Sequence, residues 1–187
     1  MVDPHQLGFL NVAIPTVMVH TVTYTVVGIA AMNVFRYTGA LRDDPLHRAT
    51  LRDTSDPRVM AGPLVQPLRG LLFAVVLYLL RGTLFAPGGW LVLWIMLLAV
   101  GIFGTFAPAS ASIEGWIYLR PSPTRTLWGG LAEILTQSFL LSLLTFLWVT
   151  HPGVAWLDWV FGVLFVLALA LPALGLLARR SAPGSTT

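Results

Sequence analysis

The sequence predicts an all-α fold, a polytopic helical bundle that crosses a membrane five times. Three observations predict it. First, 56% of the 187 residues are apolar and only 10% are charged, against about 25% charged in an ordinary soluble domain. A soluble fold of this size cannot cover its surface with so little polar material. Second, the apolar residues fall into five runs, at about 9–32, 64–85, 89–109, 127–149 and 156–178. Each run is near the ~20 residues a helix needs to cross a bilayer. Third, every second connection between runs is basic. Residues 33–63 carry Arg36, Arg42, Arg48, Arg52 and Arg58, the loop at 110–126 carries Arg120 and Arg125, and the far end carries Arg179 and Arg180. The turns at 85–89 and 150–155 have no Arg. The positive-inside rule then sets the N-terminus outside and the C-terminus in the cytoplasm. One transmembrane domain, 1–180, is expected, in the inner membrane of the cell.

The first run is the least oily. Thr16, His20, Thr23 and Tyr24 fall within about 100° of a helical wheel. A polar stripe in a span faces protein or a cavity rather than lipid. Pro15 predicts a kink. His20, near mid-membrane, has the chemistry of a haem or chlorophyll ligand or of a proton relay. The plainer alternative is a neutral His bonded across a helix interface. His5, His47 and His151 do not match it in depth, so a bis-His haem is not expected.

The loop at 33–63 interleaves its five Arg with Asp43, Asp44, Asp53 and Asp56. Asp44 followed by Pro45 is a helix N-cap and first-turn pattern, so a short surface helix over 45–53 is expected. The loop reads as a connector lying on anionic headgroups. Its segment 36–63 is also a possible docking surface for a soluble partner.

The second run contains PLRGLLFAVVLYLLRGTLF, residues 67–85, with two charges that cannot be neutralised. The backbones of Arg69 and Arg81 lie ~18 Å apart if the segment is helical. Both heads reach water only by snorkelling in opposite directions. Arg81, near the outer end, needs no more explanation; Arg69, near the inner end, wants a partner. Glu133, in the fourth run, is expected at a similar depth and can pair with it.

The third run carries Gly101, Gly104, Ala107, Pro108 and Ser110, small residues that let another helix come close. Glu114 follows it, either as a solvated loop acid or as a gating carboxylate. The fourth run places Glu133 and Gln137 one turn apart, with Ser138, Ser142 and Thr145 on an adjoining face. The fifth is followed by a polar tail, 181–187, expected to be disordered. The turns FAPGGW (85–90) and THPGVAW (150–156) share a Pro-Gly and a Trp; they read as ordinary outer turns, with a duplicated hairpin as the alternative.

Several functions are excluded or disfavoured. With no cysteine there is no thiol nucleophile, disulfide or iron–sulfur site. With no lysine among eleven basic residues there is no Schiff-base chemistry. No hydrolase, metalloprotease, P-loop or dinucleotide motif occurs, so catalysis is not expected. Carboxylates do not cluster, so no metal site is expected. The net charge of +3 is concentrated in one loop and reads as orientation, not nucleic-acid binding. Partners are the lipid bilayer and either another membrane protein or a second copy. Three functional readings follow. The first is a non-catalytic accessory, scaffold or assembly subunit of a membrane complex. The second is a compact transporter or channel for a small solute or ion, lined by spans one and four. The third is a cofactor-binding protein using His20, with the cofactor left open. The candidate binding set is His20, Tyr24, Thr16, Arg69, Glu133, Gln137 and Glu114. Polar faces of spans one and four that converge on a cavity favour transport; faces that close on each other favour the subunit.

Overall fold

The computed structural model describes residues 2–35, 52, 56–106, 108–119 and 124–181. The expected helix over 45–53 apart from Arg52, the expected tail apart from Ser181, which is still helical, and most of the expected docking loop lie outside these residues. Among the described residues all regular structure is helical. Four helices are long and apolar enough to cross a membrane. They are α1 (Phe9–Phe35), α2 (Gly62–Leu79), α4 (Thr124–Thr150) and α5 (Ala155–Ser181).

The third apolar helix departs from expectation. α3 spans Gly89–Leu98 and continues as a π-helical turn over Ala99–Phe103. Gly89–Phe103 is too short to count with the other four, covering ~22 Å of a ~30 Å core. The expected span to 109 is therefore not a helix throughout. The cause is local. The π-turn widens the last turn, Gly104 then closes it by donating to the Ala99 carbonyl at 2.8 Å, and the chain leaves the helix. A six-residue helix, Ile113–Tyr118, follows, capped by Ser112, whose hydroxyl accepts from the Gly115 N–H. This Ser-x-Glu-Gly start is an ordinary N-cap.

α1 is the central helix. More than half of its most apolar window, 56%, is buried, against 11% for α5. It packs on α2, α4 and α5. The α1–α2 pair is antiparallel with a steady register. Phe9 stacks edge-on to Tyr78, Val17 meets Gly70, and His20 meets Gln66. Gly70 sets the approach, because a methyl there would sit 2.9 Å from the Val17 Cα. Small residues of this kind allow helices in lipid to gain dispersion contacts.

The threonines of α1 do not form a polar lining. Thr16, Thr21, Thr23 and Thr25 return their hydroxyls to the carbonyls of Val12, Val17, Val19 and Thr21. Ser142 and Thr150 do the same on α4, to Ser138 and Phe146. A hydroxyl bonded within its own helix needs nothing from its surroundings.

One end of the bundle is filled. The first turn, Pro4–Gln6, is capped by Asp3 and lies on the short helix Arg81–Leu84 that follows α2. Leu7, Val12, Leu77, Leu84, Phe85, Leu93, Phe146 and Val149 form one core there. A second core joins Val19, Val22, Leu141, Trp148, Leu157 and Phe161. The tight turn from α4 to α5 is tied by Trp148, whose indole N–H donates to Asp158 at 2.8 Å. Arg81 turns back onto the end of α2. Its guanidinium donates to the Tyr78 carbonyl at 3.0 Å and lies 4.4 Å from the centre of the Tyr78 ring, a cation–π contact.

Candidate ligand cavity

Toward the other end the packing opens. A cavity of about 660 Å³ lies between α1, α2, α3 and α4, within the size range of small-molecule sites, ~300–1,000 Å³. His20, Tyr24, Arg69, Phe73, Glu133 and Gln137 line it together with Leu97, Gly101, Ile102 and Leu141. Its wall on α4 runs from Leu127 to Leu141, ~21 Å of helix.

Three features create it. The π-turn of α3 brings Gly101 and Ile102 to the cavity wall, and π-turns recur at functional sites. Gly101 and Gly130 present no side chain, and a methyl at either would meet nothing within 4 Å. Finally, α1 packs on α2 and α3 packs on α4, and α2 meets α3 through Leu77 and Leu93 in the filled core.

At its deep end sits His20. The ring is 1% exposed and stands edge-on to Phe73, with centroids 4.9 Å apart. Its Nε2 lies 3.1 Å from Gln66 Oε1. Gln66 donates its own amide N–H to the Gly62 carbonyl at 3.2 Å, which leaves its carbonyl oxygen facing His20. A carbonyl oxygen accepts, so Nε2 carries the proton and Nδ1 of the neutral ring is an acceptor. That Nδ1 is buried and has no hydrogen-bond partner among the described residues. Buried polar atoms are rarely left this way.

Arg69 lies beside His20, its guanidinium carbon 5.5 Å from the Phe73 ring centre. It is exposed as well as cavity-lining. The expected common depth of Arg69 and Glu133 does not hold. Gly70 lies against Val17, whereas Glu133 lies against Gly28, where a methyl would meet its Oε1 at 3.8 Å. Val17 and Gly28 are ~16 Å apart along α1. Arg69 therefore belongs to the deep part of the cavity and Glu133 to the mouth. The expectation failed because counting back from two turns treats both helices as straight and equally long; the α1 contacts give the true register.

Of the candidate set, His20, Tyr24, Arg69, Glu133 and Gln137 share this cavity. Thr16 does not; it is fully buried and bonded to Val12. Glu114 sits in the first turn of the Ile113–Tyr118 helix, outside the lining. Gln66 and Phe73 were not among the expected residues. Gln66 was visible as a polar residue in an apolar run, but only the register with α1 assigns it to His20.

Compared with family models, curated proteins and solved structures, the chain gives no match.

Proposed function

We propose that the protein is a compact multi-pass membrane transporter that takes a small solute into the cavity between α1, α2, α3 and α4. The observation that carries this reading is the convergence of the polar residues of α1 and α4 on one cavity rather than on each other. His20, Arg69, Gln137 and Glu133 then serve as the polar contacts that select the solute, and the apolar wall holds its remainder. The arginine distribution favours the filled end outside and the cavity mouth in the cytoplasm, with α3 as the fifth crossing, its length made up by the segment that follows. The protein would then rest open inward and sealed outward.

The absence of cysteine makes the test clean. Gln137→Cys probes the cavity and Thr145→Cys the buried, filled end. Each is reacted with a membrane-impermeant maleimide from either side of a sealed vesicle. Labelling of Gln137→Cys from the cytoplasmic side, and slower labelling of Thr145→Cys from outside, is the expected pattern. Cavity labelling from neither side would sink the reading. A second reading, an accessory subunit, draws on α5, which buries only 11% of its apolar window and so offers a long face to lipid or to another chain. Co-purification of a stoichiometric partner that covers α5 would favour it.

A further inference from the structure

We infer that the segment after α3 is a membrane-surface anchor: the helix Ile113–Tyr118 lies in the phospholipid headgroup layer at the hollow end and holds the turn before it, Ala109–Ala111, in place as a lip of the cavity. The anchor itself does not depend on what the cavity carries.

The segment is confined to one membrane boundary. The π-turn that ends α3 stops at Phe103, with ~22 Å of a ~30 Å core covered. At ~3.3 Å per residue, the non-helical chain beyond it reaches the boundary within a few residues. α4 then starts at Thr124. Ile102, Ala109 and Leu127 all line the cavity, so the connection begins and finishes at the hollow end.

Its surface suits lipid. Ile113, Trp116 and Ile117 stand at i, i+3 and i+4, on one face of the helix, and all three are exposed. Trp116 is 88% exposed, and Phe106 just before the turn is wholly so. Trp and Tyr are the residues of the membrane–water interface, where an apolar ring meets the acyl boundary and a polar atom meets the headgroups. Tyr118 and, in the first turns of α4, Trp128 are exposed at this same end. Arg120 and Arg125 follow in the sequence, and such cations favour an anionic headgroup layer. The apolar surface also continues that of α3, where Val100 and Phe103 are exposed on a helix that the bilayer covers. A protein partner fits less well. Six residues make a helix ~9 Å long, far short of the ~800 Å² per partner of a specific interface.

The helix and the lip are tied together by Ser112, which is buried. Its hydroxyl accepts from the N–H groups of Ala109 at 3.0 Å and Gly115 at 2.9 Å and donates to the Ala109 carbonyl at 2.9 Å. Gly115 lies so close to that carbonyl that a methyl there would collide with it. Residues 109–115 are thus one unit. Ala109, Ser110 and Ala111 line the cavity, while Ile113, Trp116 and Ile117 turn to the surroundings. A helix seated in the headgroup layer therefore fixes the lip.

The test uses the full chain, one copy per nanodisc of phosphatidylcholine and phosphatidylglycerol. The chain has no cysteine, so Ile113→Cys, Ile117→Cys and, on the flank of the helix, Glu114→Cys each carry a single nitroxide. Collision with oxygen reports lipid, and collision with a water-soluble nickel chelate reports water. Nitroxides at 113 and 117 that meet oxygen, and meet nickel several-fold less than the one at 114, are the expected result. Nickel reaching all three equally puts the helix in water and overturns the anchor. Shielding of 113 and 117 from both reagents means protein cover and overturns the lipid assignment. Ser112→Ala then tests the lip. Loss of this cap should speed maleimide labelling of Gln137→Cys about fivefold, with Thr145→Cys unchanged as the sign that the bundle is intact. An unchanged Gln137→Cys rate overturns the hold on the lip. If Gln137→Cys labels in neither background, the cavity reading falls and the lip with it, while the nitroxides still decide the anchor.

Discussion

Phe85 and Ile102 are large apolar residues on the two sides of α3, and they meet different surroundings. Phe85 is fully buried, in one core with Leu7, Leu84, Leu93 and Phe146. Ile102 faces a 660 Å³ space. The same contrast runs through the molecule. At the end that carries Pro4–Gln6, Leu7, Leu77, Leu84, Phe85, Leu93 and Phe146 pack into one core. At the opposite end, glycines and a π-turn hold the wall away from the centre. In lipid there is little solvent contrast to drive helices together, so contact itself is what stabilises. The filled end therefore carries the stability, and the hollow end is free to carry a ligand. A protein that needed only to be a scaffold would gain by filling both.

The largest expected effect compares truncations on the two sides. Phe85→Ala should cost about 3–5 kcal/mol, as buried aromatic truncations do. Ile102→Ala removes a side chain that already lines empty space and should cost roughly 1 kcal/mol or less, since it opens little new cavity. Unfolding in mild detergent, followed by circular dichroism, would rank the two. Equal losses would mean that the hollow end is as tightly held as the filled one.

A second pair adds atoms. Gly70→Ala places a methyl 2.9 Å from the Val17 Cα, against backbone that cannot swing aside. Overpacking of this kind costs about 1–3 kcal/mol. Gly101→Ala meets nothing within 4 Å and gains helix propensity, up to ~1 kcal/mol. The melting temperature should fall for the first and hold or rise for the second. A fall in both would place α3 against something at Gly101.

The fold was legible where hydropathy is continuous. α1, α4 and α5 match the apolar runs within a few residues, because length and composition alone make a span. The end of α3 was not legible. The apolar run continues through Ile102, Phe103 and Phe106, and hydropathy does not register that Gly104 has closed a π-turn. The site was partly legible. His20, Arg69, Glu133 and Gln137 stand out as polar residues in apolar runs, but their depths depend on register, which a contact such as Gly70 against Val17 decides. Thr16 stood out for the same reason, and its hydroxyl is spent within its own helix. A hydroxyl's partner one turn back is always available, so a polar stripe of threonines says little about a cavity.

A comparable effect tests the tie that holds the filled end shut. Trp148 donates to Asp158 across the α4–α5 turn at 2.8 Å. Asp158→Ala removes the acceptor and should cost about 1.5–3 kcal/mol, the range for a hydrogen bond to a charged group. Asp158→Asn keeps an oxygen acceptor and should cost less. If the tie matters for the seal, Asp158→Ala should also speed labelling of Thr145→Cys from the filled side, while leaving Gln137→Cys unchanged. Faster labelling at both positions would mean that the two ends do not behave separately.

The smallest effect lies at the edge of the hollow end, where no core contributes. Asp56 caps the short helix Pro57–Met60, and its carboxylate accepts the Arg58 N–H at 2.8 Å and faces Arg52 at 3.3 Å. The Arg58 backbone N–H, opposed by slight desolvation and aided by Arg52, holds the Asp56 carboxyl below its ordinary value. A carboxyl lowered in the folded state stabilises it above the unfolded value, and that contribution disappears as pH falls through the folded value. Acidification below the usual aspartate range should therefore fray Pro57–Met60 and leave the filled end untouched. Amide hydrogen exchange reads both at once. Faster exchange at Val59, Met60 and Ala61, with Val149 and Leu157 unchanged, is the expected outcome, and Asp56→Asn should reproduce part of it at neutral pH. If acid loosens the filled end first, stability there does not rest on packing alone.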